Sequence, residues 1–398
     1  MKKILIFSHA LELGGAERAL LGLLEALDTS EYQVELFLMR HEGELMKYIP
    51  KNICLLPEKL QYTSLAVPLK TVLKKRQFGV ALGRATGKHK AKQYTARHHI
   101  ASDNGIGLEY SHKYTCCFMP MVSDEMYDLA ISFLTPHYFV AEKVHAKKKI
   151  AWIHTDYSKL QIDTESELAM WGKYDYIASI SDSVTRGFLQ QFPSLRNEIV
   201  SMENIMVPEW IRHNADVDVS DEMSTDGRMH LLSIGRYCNA KNFDNIPDIC
   251  ARLIQAGLAV KWYIIGYGGD EPLIRQRIAE AHMEDHVILL GKKENPYPYI
   301  KACDLYVQPS RYEGKCVTVR EAQMLGKPVV ITRYATSASQ LEDGVDGVIV
   351  PMDNEGCAEG IAALLQDPKK MRQLSETCRN RDYSNASEVE KIYQLMED

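Results

Sequence analysis

No run of apolar residues in this 398-residue chain approaches the length of a membrane span. The opening Met1-Lys2-Lys3 followed by Ile4 to Phe7 imitates a secretion signal, but an apolar run of four residues is too short for one, so a cytoplasmic location is expected. Cys-x-x-Cys is also absent. The nine cysteines are scattered, and the adjacent Cys116 and Cys117 are poorly placed to bridge each other, which argues for a reducing compartment without a structural zinc. Acidic residues are missing from one long stretch: Gln61 to Ser102 holds no Asp or Glu, while residues 70–99 hold nine Lys/Arg and three His. Without those nine the chain stands at 38 minus 53, or -15, against -6 for the whole, so its charge is strongly polarised.

What is present describes a globular protein. A hydrophobic content of 45% with 25% charged residues excludes a disordered chain, and the net charge argues against a nucleic-acid binder. The length suits two domains, each with its own core. Apolar runs followed by glycine recur: Ile4–Phe7 before Gly14 and Gly15, Met229–Ile234 before Gly235, Val260–Ile265 before Gly266, and His286–Leu290 before Gly291. That rhythm, alternating with helical stripes such as Leu20, Leu23, Leu24 and Leu27, predicts an α/β fold with doubly wound parallel sheets. In the acid-free stretch, Leu65, Leu69, Val72 and Leu73 interleave with Lys70, Lys74, Lys75 and Arg76, as in a helix lying on an anionic membrane surface; a solvated basic face is the alternative.

The most informative stretch runs from Gln308 to Thr332. The run Leu305–Val307 predicts a buried strand ending at Pro309 and Ser310. A loop with Glu313 and Gly314 follows, then a helical pattern opening at Thr318 and stopped by Gly326 and Pro328. Ligands of such units sit at the carboxyl ends of strands, near Glu313 and Glu321. Two plainer readings compete: Thr318 to Glu321 is also a capping box, and Glu313 beside glycine is ordinary turn chemistry.

This stretch resembles the signature of retaining GT-B glycosyltransferases, specifically glycosyltransferase family 4, in which two glutamates separated by seven residues bind a nucleotide sugar. The resemblance places Glu313 at the sugar and Glu321 at the ribose. Lys315 and Cys316 stand where the family more often has a small apolar pair, so the donor sugar stays open. Gly235-Arg236 with Lys241 five residues on also matches the family, and a diphosphate leaving group needs such fixed cations.

Further site residues follow from the same resemblance. It implies that His154 lies beside the donor sugar, that Gly14 and Gly15 face the diphosphate, and that Gly235, Gly266, Gly291, Gly314, Lys315, Cys316, Val317 and Thr318 line the donor. The expected architecture is two Rossmann-like domains facing across a cleft: an acceptor-binding domain at 1–208, a nucleotide-sugar domain at 209–382, and a helix at 383–398 returning to the first. The implied partners are a nucleotide sugar, a UDP-sugar by the commonness of such donors, and a glycan or lipid-linked acceptor. Neither cofactor nor metal is expected. Asp216-Val217-Asp218 matches the metal motif of the other major glycosyltransferase fold, but no apolar strand precedes it, and it reads as a solvated linker. A non-catalytic GT-B partner subunit and a nucleotide-sugar epimerase or phosphorylase of the same fold are the alternatives.

Overall fold

The computed structural model describes residues 1–100, 105–223 and 226–397. Residues 101–102 of the acid-free stretch therefore lie outside the described residues. The chain divides into two compact units, one of Met1–Met206 with Asn385–Asp398, the other of Val207–Ser384. These divisions fall two residues from the expected 208/209 and 382/383.

The amino-terminal unit is built on seven parallel strands: β1 (Lys2–Ser8), β2 (Tyr32–Leu38), β3 (Cys54–Leu55), β4 (Met126–Ser132), β5 (His145–Ile153), β6 (Tyr176–Ser179) and β7 (Ile199–Ser201). Their order is β3-β2-β1-β4-β5-β6-β7. β1 is central, pairing Ile4 with Val34 on one side and with Leu129 on the other. Its Ile4 to Phe7 are fully buried, which is why the run is continuously apolar and does not alternate. The carboxyl-terminal helix Val389–Glu397 belongs to this unit: Tyr393 stacks on Tyr32 with ring centroids 4.3 Å apart, and its hydroxyl accepts a hydrogen bond from Asp28 N at 2.8 Å.

The basic stretch of the same unit forms two helices, Leu69–Lys74 and Phe78–His98, joined by a tight turn in which Arg76 takes the left-handed conformation. Val72 and Val80 face inward, while Leu73, Phe78 and Leu82 point to solvent beside Lys74, Lys75 and Arg76. Phe118, itself exposed, lies against this corner: a Cβ on Gly79 would come within 2.7 Å of its ring. Among the described residues no helix is long and apolar enough to cross a membrane.

The carboxyl-terminal unit holds six parallel strands: β8 (Met229–Ile234), β9 (Val260–Ile265), β10 (Val287–Gly291), β11 (Leu305–Gln308), β12 (Val329–Thr332) and β13 (Val348–Val350), in the order β10-β9-β8-β11-β12-β13. Its core gathers Leu231, Trp262, Ile264, Leu305, Val307 and Val330 from the sheet with Ile249, Leu253, Ile361 and Leu364 from the covering helices. Trp262 Nε1 is satisfied inside it, donating to Ser233 Oγ at 2.9 Å, which donates to the Val307 carbonyl at 2.6 Å. The covering helices start where the sequence says they should, with Asp353 capping Asn354–Leu365 and Asp367 ahead of Pro368 capping Pro368–Asn380. In this order the direction of winding reverses at β8 and β11, and a crevice at the carboxyl ends of those strands is where doubly wound sheets bind ligands.

Candidate functional site

At that switch point the chain brings together two loops that are distant in sequence. After β8, Gly235 has no Cβ because the stem of Lys241 lies there: one would meet Lys241 Cε at 3.0 Å and Cδ at 3.1 Å. Gly266, ending β9, is packed tighter still, since a Cβ would fall 1.9 Å from the Gly235 carbonyl oxygen. Gly266 N bonds the carbonyl of Gly291, which closes β10 in a left-handed conformation. The three glycines thus form one contiguous floor of bare backbone.

Lys241 reaches from this floor to the loop after β11. Its ammonium lies 2.5 Å from Glu313 Oε1, with both side chains mostly buried. Burial works against the Lys241 charge, but Cys316 and Glu313 beside it outweigh that and raise its pKa, so it is an ammonium at neutral pH. The same carboxylate oxygen accepts from Ser310 Oγ at 2.6 Å and, more weakly, from Gln308 Nε2 at 3.4 Å. Arg236 contrasts with Lys241: its side chain is exposed and makes no hydrogen bond or ion pair to a described residue.

The two loops are stitched by contacts the sequence did not announce. Asn242, held in the left-handed conformation that asparagine tolerates, donates to the Pro309 carbonyl at 2.9 Å. Arg311 forks onto Asp244 at 2.8 and 3.0 Å, and Arg311 N bonds the Ala240 carbonyl. Thr336 Oγ1 holds the Glu313 carbonyl at 2.8 Å. Gln340 clamps the backbone of Cys316 from both sides, accepting from its N at 2.7 Å and donating to its O at 3.2 Å. A buried Gln308 closing an apolar strand and an Asn directly after Lys241 were the available signals; Thr336 and Gln340 come from a separate turn and left none.

Beyond Gly314 and Lys315, the helix Val317–Met324 opens at Val317, one residue before Thr318. Cys316 occupies the cap position without a side-chain cap, while Thr318 Oγ1 is within 2.8 Å of the Tyr306 hydroxyl. Thr318 is therefore inside the first turn, and the capping-box alternative for Glu321 fails. Glu321, 1% exposed, accepts from the Tyr297 hydroxyl at 3.0 Å. Asp216 pairs with Lys301 at 2.5 Å and Asp218 bonds Ser220, so neither converges on a metal position. Among the described residues no cluster of three His, Cys, Asp or Glu could hold a metal ion.

Three expected residues, Gly14, Gly15 and His154, belong to the amino-terminal unit. Gly14 is the cap of the helix Gly15–Ala26, whose first turn carries Glu17. His154 follows β5, and its ring lies between Phe133, 4.6 Å away, and Trp152, 6.1 Å away. Burial pushes its pKa to about 4 against a small opposing effect of the Phe133 backbone, so the imidazole is neutral. Neither buried ring nitrogen makes a hydrogen bond of ordinary geometry.

Known proteins share this fold. A parallel-sheet fold resembling this one across 100% of both chains, with a TM-score of 0.69 at 14% identity, is that of Anabaena HepE, solved in complex with UDP and glucose. The fold is thus GT-B, two Rossmann-like sheets in one chain. Residues 220–381, which contain every element of the carboxyl-terminal site, match the family described as glycosyl transferases group 1. The amylovoran biosynthesis glycosyltransferase AmsK of Erwinia amylovora is 32% identical over 145 residues, 34% of this chain and 35% of that one. An N-acetylgalactosaminyltransferase of Campylobacter jejuni named for a diphospho-undecaprenol substrate is 29% identical over 164 residues, 41% and 43% of the two chains. The matched region thus spans well under half the length of these relatives.

Proposed function

We propose that the protein is a retaining family 4 glycosyltransferase that moves a hexosyl or N-acetylhexosaminyl unit from a UDP-sugar to a lipid-linked glycan acceptor in cell-surface polysaccharide or glycoconjugate synthesis. The observation that carries this reading is the pairing of an exposed, unengaged Arg236 with an ammonium at Lys241 over a floor of glycine backbone. A diphosphate needs charge-assisted donors and close backbone approach, and this floor offers both. Glu313, already oriented by Ser310, suits the hydroxyls of the donor sugar, and Glu321, oriented by Tyr297, suits a ribose diol. The backbone from Gly314 to Thr318 leads into a helix N-terminus, which favours phosphate, and Gly14 and Gly15 stand at a helix start of the same kind in the amino-terminal unit. His154, neutral, is assigned to hydrogen bonding and not to proton transfer.

The chemistry needs little more than position and charge. As the bond from the sugar's anomeric carbon to the diphosphate oxygen breaks, negative charge grows on that oxygen, and Arg236 and Lys241 stabilise it most when it is largest. The acceptor hydroxyl forms the new bond on the same face, and its proton passes to the departing diphosphate. Two side-chain cations serve here without a metal. The relative named for an undecaprenol-linked substrate supports the lipid-linked acceptor, and the exposed Phe78 and Leu82 among cations support peripheral attachment to an anionic membrane from the cytoplasmic side.

Melting the protein against a panel of nucleotide sugars tests the donor: a UDP-sugar should raise the transition with its concentration, whereas GDP- and ADP-sugars should not. Liposome sedimentation tests the attachment. Binding should require anionic lipid, weaken with salt and fall about 100-fold when Lys74, Lys75 and Arg76 become Gln, at roughly 1 kcal/mol per charge; binding equally to neutral vesicles would refute it.

A further inference from the structure

The acidic segment that follows the helix Pro208–Asn214 takes no part in the donor crevice, yet the carboxyl-terminal unit pins it at both ends. Asn295 Nδ2 donates to the Asn214 carbonyl at 2.6 Å and the Tyr299 hydroxyl donates to Glu222 at 2.6 Å, which ties residues 215–222 to the helix Tyr297–Ala302 and the loop before it. Beneath the segment lies a cavity of about 550 Å³, within the range of small-molecule sites. Val219, Met223 and Pro298 give it apolar walls, and the exposed Asp216, Asp218 and Lys301 stand at its mouth.

The inner wall is His230, 6% exposed. Its backbone is already engaged: N donates to Asp304 Oδ2 at 2.8 Å, the carbonyl accepts from Asp304 N at 2.8 Å, and the residue is in register with Lys261 on β9. Leu231 beside it turns into the core on the other face of the sheet, so what His230 gives the cavity is its imidazole. Tyr263 braces that ring edge-on at 5.3 Å, and the buried Nε2 has no hydrogen-bond partner. A buried ring nitrogen left without a partner costs free energy, which a ligand that reaches it recovers in part. The mouth favours positive charge, with Asp216, Asp218, Asp221, Glu222 and Asp226 crowded into residues 216–226. Lys301 pairs with Asp216, Lys293 with Glu222 and Arg228 with Asp226. Asp218 accepts from Ser220 N at 2.9 Å and Ser220 Oγ at 3.0 Å but makes no ion pair with a described residue. A carboxylate at the mouth, an apolar wall and an imidazole nitrogen at the back suit a methylene chain with a nitrogen near each end. His230 is the second residue of β8 and Gly235 follows the last, so at about 3.3 Å per residue this wall is roughly 17 Å from the glycine floor, at the opposite end of the strand.

We propose that this cavity binds an aliphatic polyamine, one ammonium on Asp218 and a second amine nitrogen donating to His230 Nε2, with the methylenes between them on Val219, Met223 and Pro298. The site does not depend on how the donor crevice is used. Calorimetry on the full chain tests it with spermidine and putrescine as probes, at about 0.15 M salt, where exposed charges are screened beyond ~8 Å. Spermidine should bind at one site. Asp218→Asn, which still accepts from Ser220, and His230→Leu, which leaves the net charge of a neutral imidazole unchanged, should each weaken it tenfold or more. Asp221→Asn makes the same charge change outside the cavity and should leave affinity within twofold. If His230→Leu does not fold, the contrast between Asp218→Asn and Asp221→Asn carries the test. Neither probe binding, equal losses in the two Asp variants, or a folded His230→Leu that binds as tightly as wild type overturns the site.

Discussion

In the carboxyl-terminal unit the loops after β8 and β11 hold cations in reserve, Arg236 without a partner among the described residues and Lys241 kept charged beside Glu313, over glycines that leave backbone bare. In the amino-terminal unit a helix before β4 and a helix after β5 do the opposite, burying Glu109 and Glu167 so that their pKa values rise to about 7 and about 8. Two sheets of the same parallel construction thus carry environments of opposite chemistry. The frame fixes where the donor crevice can form, at the carboxyl ends of strands, while the loops decide what it can bind.

The comparison breaks most visibly at Lys241. Lys241→Ala removes the cation that would meet the leaving diphosphate, and transfer from a UDP-sugar should fall by about 3 kcal/mol, roughly 100-fold. Steady-state turnover measures it; wild-type turnover in the variant would remove Lys241 from the site. Glu321→Gln should act less strongly, weakening UDP about tenfold while leaving the melting temperature close to wild type, because Gln still accepts from Tyr297. Calorimetry with unchanged UDP affinity would reduce Glu321 to a structural role.

The smallest effect sharpens the amino-terminal side. His112 and His137 are pushed down to about 3 and His154 to about 4, each mainly by burial, so these histidines add stability as pH rises through the unfolded value of 6.5 and nothing further above about pH 7.5. Glu109 and Glu167 run the other way. With folded pKa values raised to about 7 and about 8, they bind protons that the unfolded chain has released, so stability is lost as pH rises through those values. Above about pH 7.5 only the glutamates of these five groups still contribute to the slope. The melting transition measured without UDP should therefore move down by a few degrees, and Glu167→Gln should flatten the slope.

Much of the carboxyl-terminal site was legible because its key residues lie close together in one stretch: Glu313 and Glu321 flank a single helix start, and Lys241 follows Gly235-Arg236 directly. Their supports were not, since Ser310, Asn242, Tyr297 and Gln340 matter only after loops distant in sequence are folded together. The capping box at Thr318 failed for a local reason, the helix having begun one residue earlier. The fold was legible in its strands, because fully buried parallel strands are written as unbroken apolar runs. His154 was singled out by the family resemblance and not by its place at a strand end, and the aromatic packing around it comes in part from Phe133 on another strand's exit. Glu109 and Glu167 carry no signal in the chain at all, for their burial comes only with tertiary packing.

The central claim is that the floor of Gly235, Gly266 and Gly291 with Arg236 and Lys241 binds the diphosphate of a nucleotide donor. Titrating UDP into the full chain by calorimetry, beside Arg236→Ala, tests it most directly. The account predicts one site that weakens with added salt and a loss of tenfold or more, about 1.4 kcal/mol, in the variant; a wild type that does not bind UDP, or a variant that binds it as tightly, would contradict it.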